Sequence, residues 1–147
     1  MDEIDRIREL KQQGFFCSQI IMIMGLEMQG KTNPELVRSM QGLSGGLGLS
    51  GEICGALSGG ACLLGLYAGK GEPGEMQNLE FDPMVQQLVI WFKEMTLPKY
   101  GGIRCEEILE GDFSNQPERC PFLVAETFQK VKELLVENGY DLSGLDD

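Results

Sequence analysis

The stretch Gly42–Gly69, GLSGGLGLSGEICGALSGGACLLGLYAG, holds half of the chain's 20 glycines and two of its 5 cysteines. Its first part, Gly42–Gly51, predicts a glycine-rich loop. The rest predicts an apolar helix with Cys54 on its first turn and Ser50 as N-cap. Gly55, Ala56 and Gly59 leave one side of that helix nearly bare. An interior helical glycine costs about 0.5–1 kcal/mol relative to alanine. A close neighbour, either another backbone or a cofactor, is expected to offset that cost. Gly55 and Gly59 have the small-xxx-small spacing that lets two helices nearly touch. A thiol on the first turn faces the positive end of the helix dipole, which predicts a lowered pKa for Cys54.

The chain's 147 residues suit one domain, 1–147, with a real core. Hydrophobic and charged contents of 42% and 24% are ordinary for a globular protein. With 12 basic against 23 acidic residues the net charge is -11. That balance argues against nucleic acid and against anionic membrane surfaces, which both need a basic patch. The first residues, MDEIDRIRELKQQG, are charged and amphipathic and lack the apolar centre of a signal peptide. No run approaches the roughly 18 apolar residues of a membrane span. The expected location is the cytoplasm. Thiols are mostly reduced there, so five cysteines read as metal or redox chemistry before structural staples.

Histidine is absent. This removes Ser-His-Asp and Cys-His mechanisms, His-ligated zinc and the CxxCH haem motif. The glycine run lacks GK[ST], so a phosphate loop is a weak reading.

Helical spacing predicts helices over Asp2–Gln13 and Phe15–Gln29, separated by Gly14. Met22, Met24 and Met28 in the second read as core filler rather than soft metal ligands. Asn33-Pro34-Glu35 is a helix start, and the helix is expected to run to about Met40. Lys70–Leu79 is a turn-rich connection. Asp82-Pro83 predicts another start, with Val85, Leu88, Val89 and Phe92 turned inward and a break at Leu97-Pro98. Tyr100–Ile103 is a second glycine hinge leading to a short helix at Cys105. Glu110–Arg119 is expected as a polar loop, Cys120-Pro121 as the opening of the last helix and Gly139 as its stop. The acidic tail from about Tyr140 is expected to fray. Almost nothing reads as a strand. The fold class is therefore all-α: a single-domain bundle of about five to six helices around a glycine-rich central loop.

Cys17, Cys54, Cys105 and Cys120 each fall at or near a predicted helix N-terminus. Such a setting stabilises anionic sulfur as thiolate, nucleophile or metal ligand. Four converging thiols would suit zinc or an iron–sulfur cluster. Their spacings are wide and include no CxxC, and the opposing reading is that they are small buried hydrophobes. Cys62, eight residues past Cys54, leaves that face and reads as core packing.

The order of a lone cysteine (Cys17 in FCSQ), Cys54-Gly55-Ala56-Leu57-Ser58-Gly59, Cys105 in GGIRCEEIL and Cys120 in CPFLV resembles the redox-active protein family named for its cysteine pattern. The resemblance covers about Gly14 to Leu135, and Cys62 lies outside it. It implies a small helical protein with four functional cysteines and a redox role. Related domains accompany haem-binding segments in split-Soret-type cytochromes, where an iron–sulfur cluster is associated with the cysteines. The haem part does not carry over, because CxxCH is missing here.

Three readings follow. In the first, Cys17, Cys54, Cys105 and Cys120 ligate an iron–sulfur cluster for electron transfer or redox sensing with a partner protein, and Gly55 and Gly59 give the cluster room. In the second, Cys54 attacks as a metal-free thiolate and Cys17, Cys105 or Cys120 resolves the disulfide. In the third, the chain is a zinc-stabilised adaptor or accessory module of an oxidoreductase or transporter system, with the small-residue face as a homodimer or partner interface. Glu52, Glu106 and Glu107 beside the cysteines are explained as dipole complements and carry no catalytic role.

Overall fold

A helix spelled GALSGGACLLGLYA has almost no polar face, so other elements must surround it. In the computed structural model, which describes residues 2–144, that helix is α4, Gly55–Ala68. The other helices are α1 (Glu3–Gln12), α2 (Cys17–Met28), α3 (Pro34–Ser39), α5 (Phe81–Tyr100), α6 (Cys105–Leu109) and α7 (Gln116–Glu137). Three-residue 3-10 turns lie at Gln41–Leu43 and Phe113–Asn115. Five helices have ten or more residues, and α3 and α6 are short. Among the described residues there is no β-strand, only an isolated bridge between Ile53 and Arg104. The all-α expectation holds.

Helix α4 packs chiefly on α2 and then on α7 and α5. The small-residue face explains the first contact. A Cβ on Gly59 would lie 2.6 Å from Ile21 Cγ2 and 3.0 Å from the Ser18 Cα. Only glycine lets the two backbones come this close. The face expected to serve as a dimer or partner interface is thus covered by α2 of the same chain. The core is filled by Ile20, Ile21, Leu63, Leu64, Leu88, Phe92, Val131 and Leu134, all buried. Met22 and Met24 are buried among them as packing.

Several boundaries differ from expectation for local reasons. Helix α5 starts at Phe81 and runs through Pro98 to Tyr100. A proline three residues from the end removes one late hydrogen bond, and Gly101 at φ 85° then closes the helix. Helix α7 starts at Gln116, because Pro117 occupies its first turn and the 3-10 turn at Phe113–Asn115 leads into it. The expected loop is correspondingly shorter, and Cys120 lies one turn inside the helix. Ser50 is not the cap of α4; Cys54 is. The tail does not fray up to Gly144. Tyr140 donates to Glu80 at 2.8 Å, and Tyr67 donates to the Leu142 carbonyl at 2.6 Å. The expectation for the final acidic residues, 145–147, lies outside the described residues.

Candidate cysteine site

Gly14, at φ 97°, turns the chain from α1 into α2, and Phe16 is the extended residue before Cys17. Cys17 is therefore the first residue of α2, and it is buried. The amides of Gly45 and Ser18 approach its sulfur and favour the thiolate, as does the Lys11 cation. The Gly45 contact depends on the glycine loop folding back on itself. Its backbone closes through Gly48 N–H to Gly42 O at 2.9 Å, Gly51 N–H to Gly45 O at 3.0 Å and Glu52 N–H to Gly46 O at 3.0 Å. Gly46, at φ 73°, leaves no space for a side chain: its Cβ would meet Glu52 N at 2.3 Å.

Cys54 is buried at the N-cap of α4. The Ala56 and Leu57 amides point toward its sulfur and favour its charge, although no cap hydrogen bond of ordinary geometry forms. Cys105 begins α6 and is also buried. Three backbone hydrogen bonds join these segments: Cys54 N–H donates to Ile103 O at 3.0 Å, Cys105 N–H to Glu52 O at 2.6 Å and Glu106 N–H to Gly51 O at 3.1 Å. Arg104, between the bonded residues, reaches Glu106 at 3.0 Å and Glu52 at 3.4 Å. Glu107 caps α6 by accepting the Arg104 amide at 3.2 Å. Glu52 and Glu106 thus pair with Arg104, and Glu107 closes the start of α6.

Cys120 is half-buried. It lines a small gap with Lys11, Cys17 and Gln116, where Lys11 donates to the Gln116 side chain at 3.2 Å. Gly55 faces the same cluster, and a Cβ there would lie 2.5 Å from the Cys17 sulfur.

The thiols influence one another. Desolvation raises Cys54 well above the ordinary thiol range, and Cys17 and Cys120 add repulsion. Burial, then Cys17 and Cys105, push Cys120 up to about 12. Burial and Cys17 raise Cys105. Burial raises Cys17 as well. Cys17 and Cys120 line one gap, Gly55 beside Cys54 abuts the Cys17 sulfur, and backbone hydrogen bonds join the Cys54 and Cys105 segments. The raised Cys54 corrects the expectation of a lowered pKa. The amides at the helix start are present, but loss of water and repulsion from neighbouring sulfurs outweigh them.

Cys62 stands apart and is exposed on the outer side of α4, not packed in the core. All five cysteines are free thiols. Among the described residues, no three or more Cys, Asp or Glu side chains stand where they could hold a metal ion. Lys11 and Gly45 were missed from sequence. The first could have been noticed as a cation in the last turn before Gly14 and Cys17. No local signal announced the second, because its role depends on how the loop refolds.

The family model described as "Putative redox-active protein (C_GCAxxG_C_C)" matches residues 15–134. The motif in that description writes glycine ahead of cysteine, whereas this chain reads Cys54-Gly55-Ala56. Neither the curated proteins nor the solved structures gave a match. No helix among the described residues is long and apolar enough to cross a membrane.

Proposed function

The chain belongs to the C_GCAxxG_C_C family of redox-active proteins, and from that premise we propose that Cys17, Cys54, Cys105 and Cys120 form one redox centre that holds an iron–sulfur cluster. The observation that carries the reading is geometric: Cys17 and Cys120 line one gap, Gly55 beside Cys54 abuts the Cys17 sulfur, and backbone hydrogen bonds join the Cys54 and Cys105 segments. A buried group of thiols that repel one another as thiolates is stabilised by a cationic body placed between them.

The donor set fits such a group chemically. Thiolates are the usual ligands of iron–sulfur clusters. The amides of Gly45 and Ser18 at Cys17, and of Ala56 and Leu57 at Cys54, stabilise charge on sulfur. Gly55 keeps a side chain away from Cys17, and Gly59 sets the depth to which α4 sinks against α2. As they stand, no three of the described Cys, Asp or Glu side chains are set to hold a metal ion, so a cluster or a single zinc ion alike would draw the thiols in on binding. A bound cluster would supply one-electron transfer.

The partner is a redox protein with an apolar contact patch and a basic rim. Leu49 and Phe113 are exposed in the cleft that Cys105 lines, and Glu106 and Asp112 supply acidic neighbours. The setting is the reducing cytoplasm, where the thiols persist. Metal-free thiol–disulfide exchange is the second reading, favoured by Cys17 and Cys120 lining the same gap. Burial counts against it, because it holds every one of these thiols above its ordinary pKa and leaves little resting thiolate at neutral pH.

The test is anaerobic purification with assay of iron, acid-labile sulfide and visible absorption. Brown protein is expected, with colour lost in serine variants at each of the four positions and kept in Cys62→Ser. Colourless, iron-free protein that also fails reconstitution with iron and sulfide would end the cluster reading. If four-electron oxidation of that protein then gave two disulfides among the same cysteines, exchange chemistry would replace it.

A further inference from the structure

A cleft of about 490 Å³ lies between α1, α2 and α3, on residues separate from the cysteine site. That size is within the range of small-molecule sites, roughly 300–1,000 Å³. Its floor is apolar, made by Leu10, Phe15, Ile23, Leu26 and Val37. The charges around it run against the rest of the chain. Arg6, Lys31 and Arg38 line it with one carboxylate, Glu27, a local balance of +2 in a chain of net charge -11. Arg6 is engaged by Glu9 and Glu27. Lys31 and Arg38 form no ion pair among the described residues, and both are exposed.

We propose that this cleft binds an apolar monocarboxylate, with its acyl or aryl body on the Leu10–Phe15–Ile23–Val37 floor and its carboxylate at Lys31 and Arg38. Apolar surface supplies most of the affinity of such a ligand, and the cations select its charge. A neutral or cationic molecule of the same shape would gain only the first term. The net acidity of the chain disfavours a bilayer as the source of the anion, so the ligand is a free one.

The test titrates the full chain with decanoate and with decyltrimethylammonium, which carry the same tail and opposite charge. Binding is followed by calorimetry and by methyl NMR of Ile23 and Val37. Decanoate is expected to bind and shift those methyls, and the cation to bind at least about tenfold more weakly. The exposed double variant K31Q/R38Q should keep its melting temperature and lose about tenfold in decanoate affinity. Equal binding of both probes, unchanged affinity in the variant, methyl shifts elsewhere, or no binding of millimolar decanoate would each overturn the proposal. Cosedimentation with phosphatidylglycerol vesicles in the absence of decanoate binding would also overturn it, by assigning the cations to a lipid surface. None of these outcomes bears on the cysteine centre.

Discussion

The Cys17 sulfur lies only 2.5 Å from the point where a Gly55 side chain would begin. Gly55→Ala therefore forces the thiol, the Leu43 carbonyl at 3.3 Å or the α2–α4 contact to move. Overpacking of this kind costs typically about 1–3 kcal/mol. Gly59→Ala meets Ile21 and the Ser18 backbone instead, so it should destabilise similarly without touching a sulfur. Denaturant melts should show comparable losses for the two variants. Iron content per folded molecule should fall for Gly55→Ala and stay near wild type for Gly59→Ala. Equal iron content in both would separate Gly55 from the proposed centre.

Thiol labelling gives a second expectation. Cys62 is the exposed cysteine, while Cys17, Cys54 and Cys105 are buried and Cys120 is half-buried. In reduced, metal-free protein at pH 8, an aromatic disulfide reagent should modify one thiol quickly and the others only on opening of the fold. Cys62→Ser should abolish the fast phase. A fast phase that survives this variant would mean that one of the four grouped thiols is reactive at rest, and would favour exchange chemistry.

The helices were legible because their signals are local. Asn33 caps α3 through the Leu36 amide at 3.1 Å, as its Asn-Pro-Glu start suggests, and the Gly55–Gly59 spacing announced a close helix neighbour. What the sequence hid was set by tertiary balance. Cap chemistry at Cys54 argued for an acidic thiol, but burial among other sulfurs decides the sign. Pro98 reads as a stop, yet three residues from a helix end it is tolerated. Cys62 sits in an apolar run, and only the placement of α2, α5 and α7 around α4 shows that its side of the helix faces out.

Lys11 is the cation nearest to the grouped thiols in effect, favouring charge on both Cys17 and Cys120. It lines the gap beside them and is anchored on Gln116. Removing a positive charge disfavours the more negative, reduced state of a redox centre. Lys11→Met should thus lower the midpoint potential of the loaded protein while leaving its iron and sulfide content unchanged. Protein-film voltammetry reads the shift. An unaltered potential at full occupancy would remove Lys11 from any tuning role.

Alkaline stability of the reduced, metal-free protein follows from the raised thiols. An unfolded cysteine releases its proton near the ordinary value of about 9, whereas folded Cys120 holds its proton up to about 12. Between those values the native state binds more protons than the unfolded state, so stability falls as pH rises. Below the lower value both states are protonated and the contribution is constant. Each thiol fully within the window adds a slope of up to about 1.4 kcal/mol per pH unit. Tyrosines and lysines titrate in the same range, so the informative quantity is the difference between wild type and Cys120→Ala. Urea melts from pH 8 to 11 should show wild type losing stability more steeply than the variant, with the two curves parallel below about pH 9. Parallel curves throughout would mean that Cys120 ionises as freely in the fold as outside it, and that the sulfurs are not crowded out of water as the structure has them.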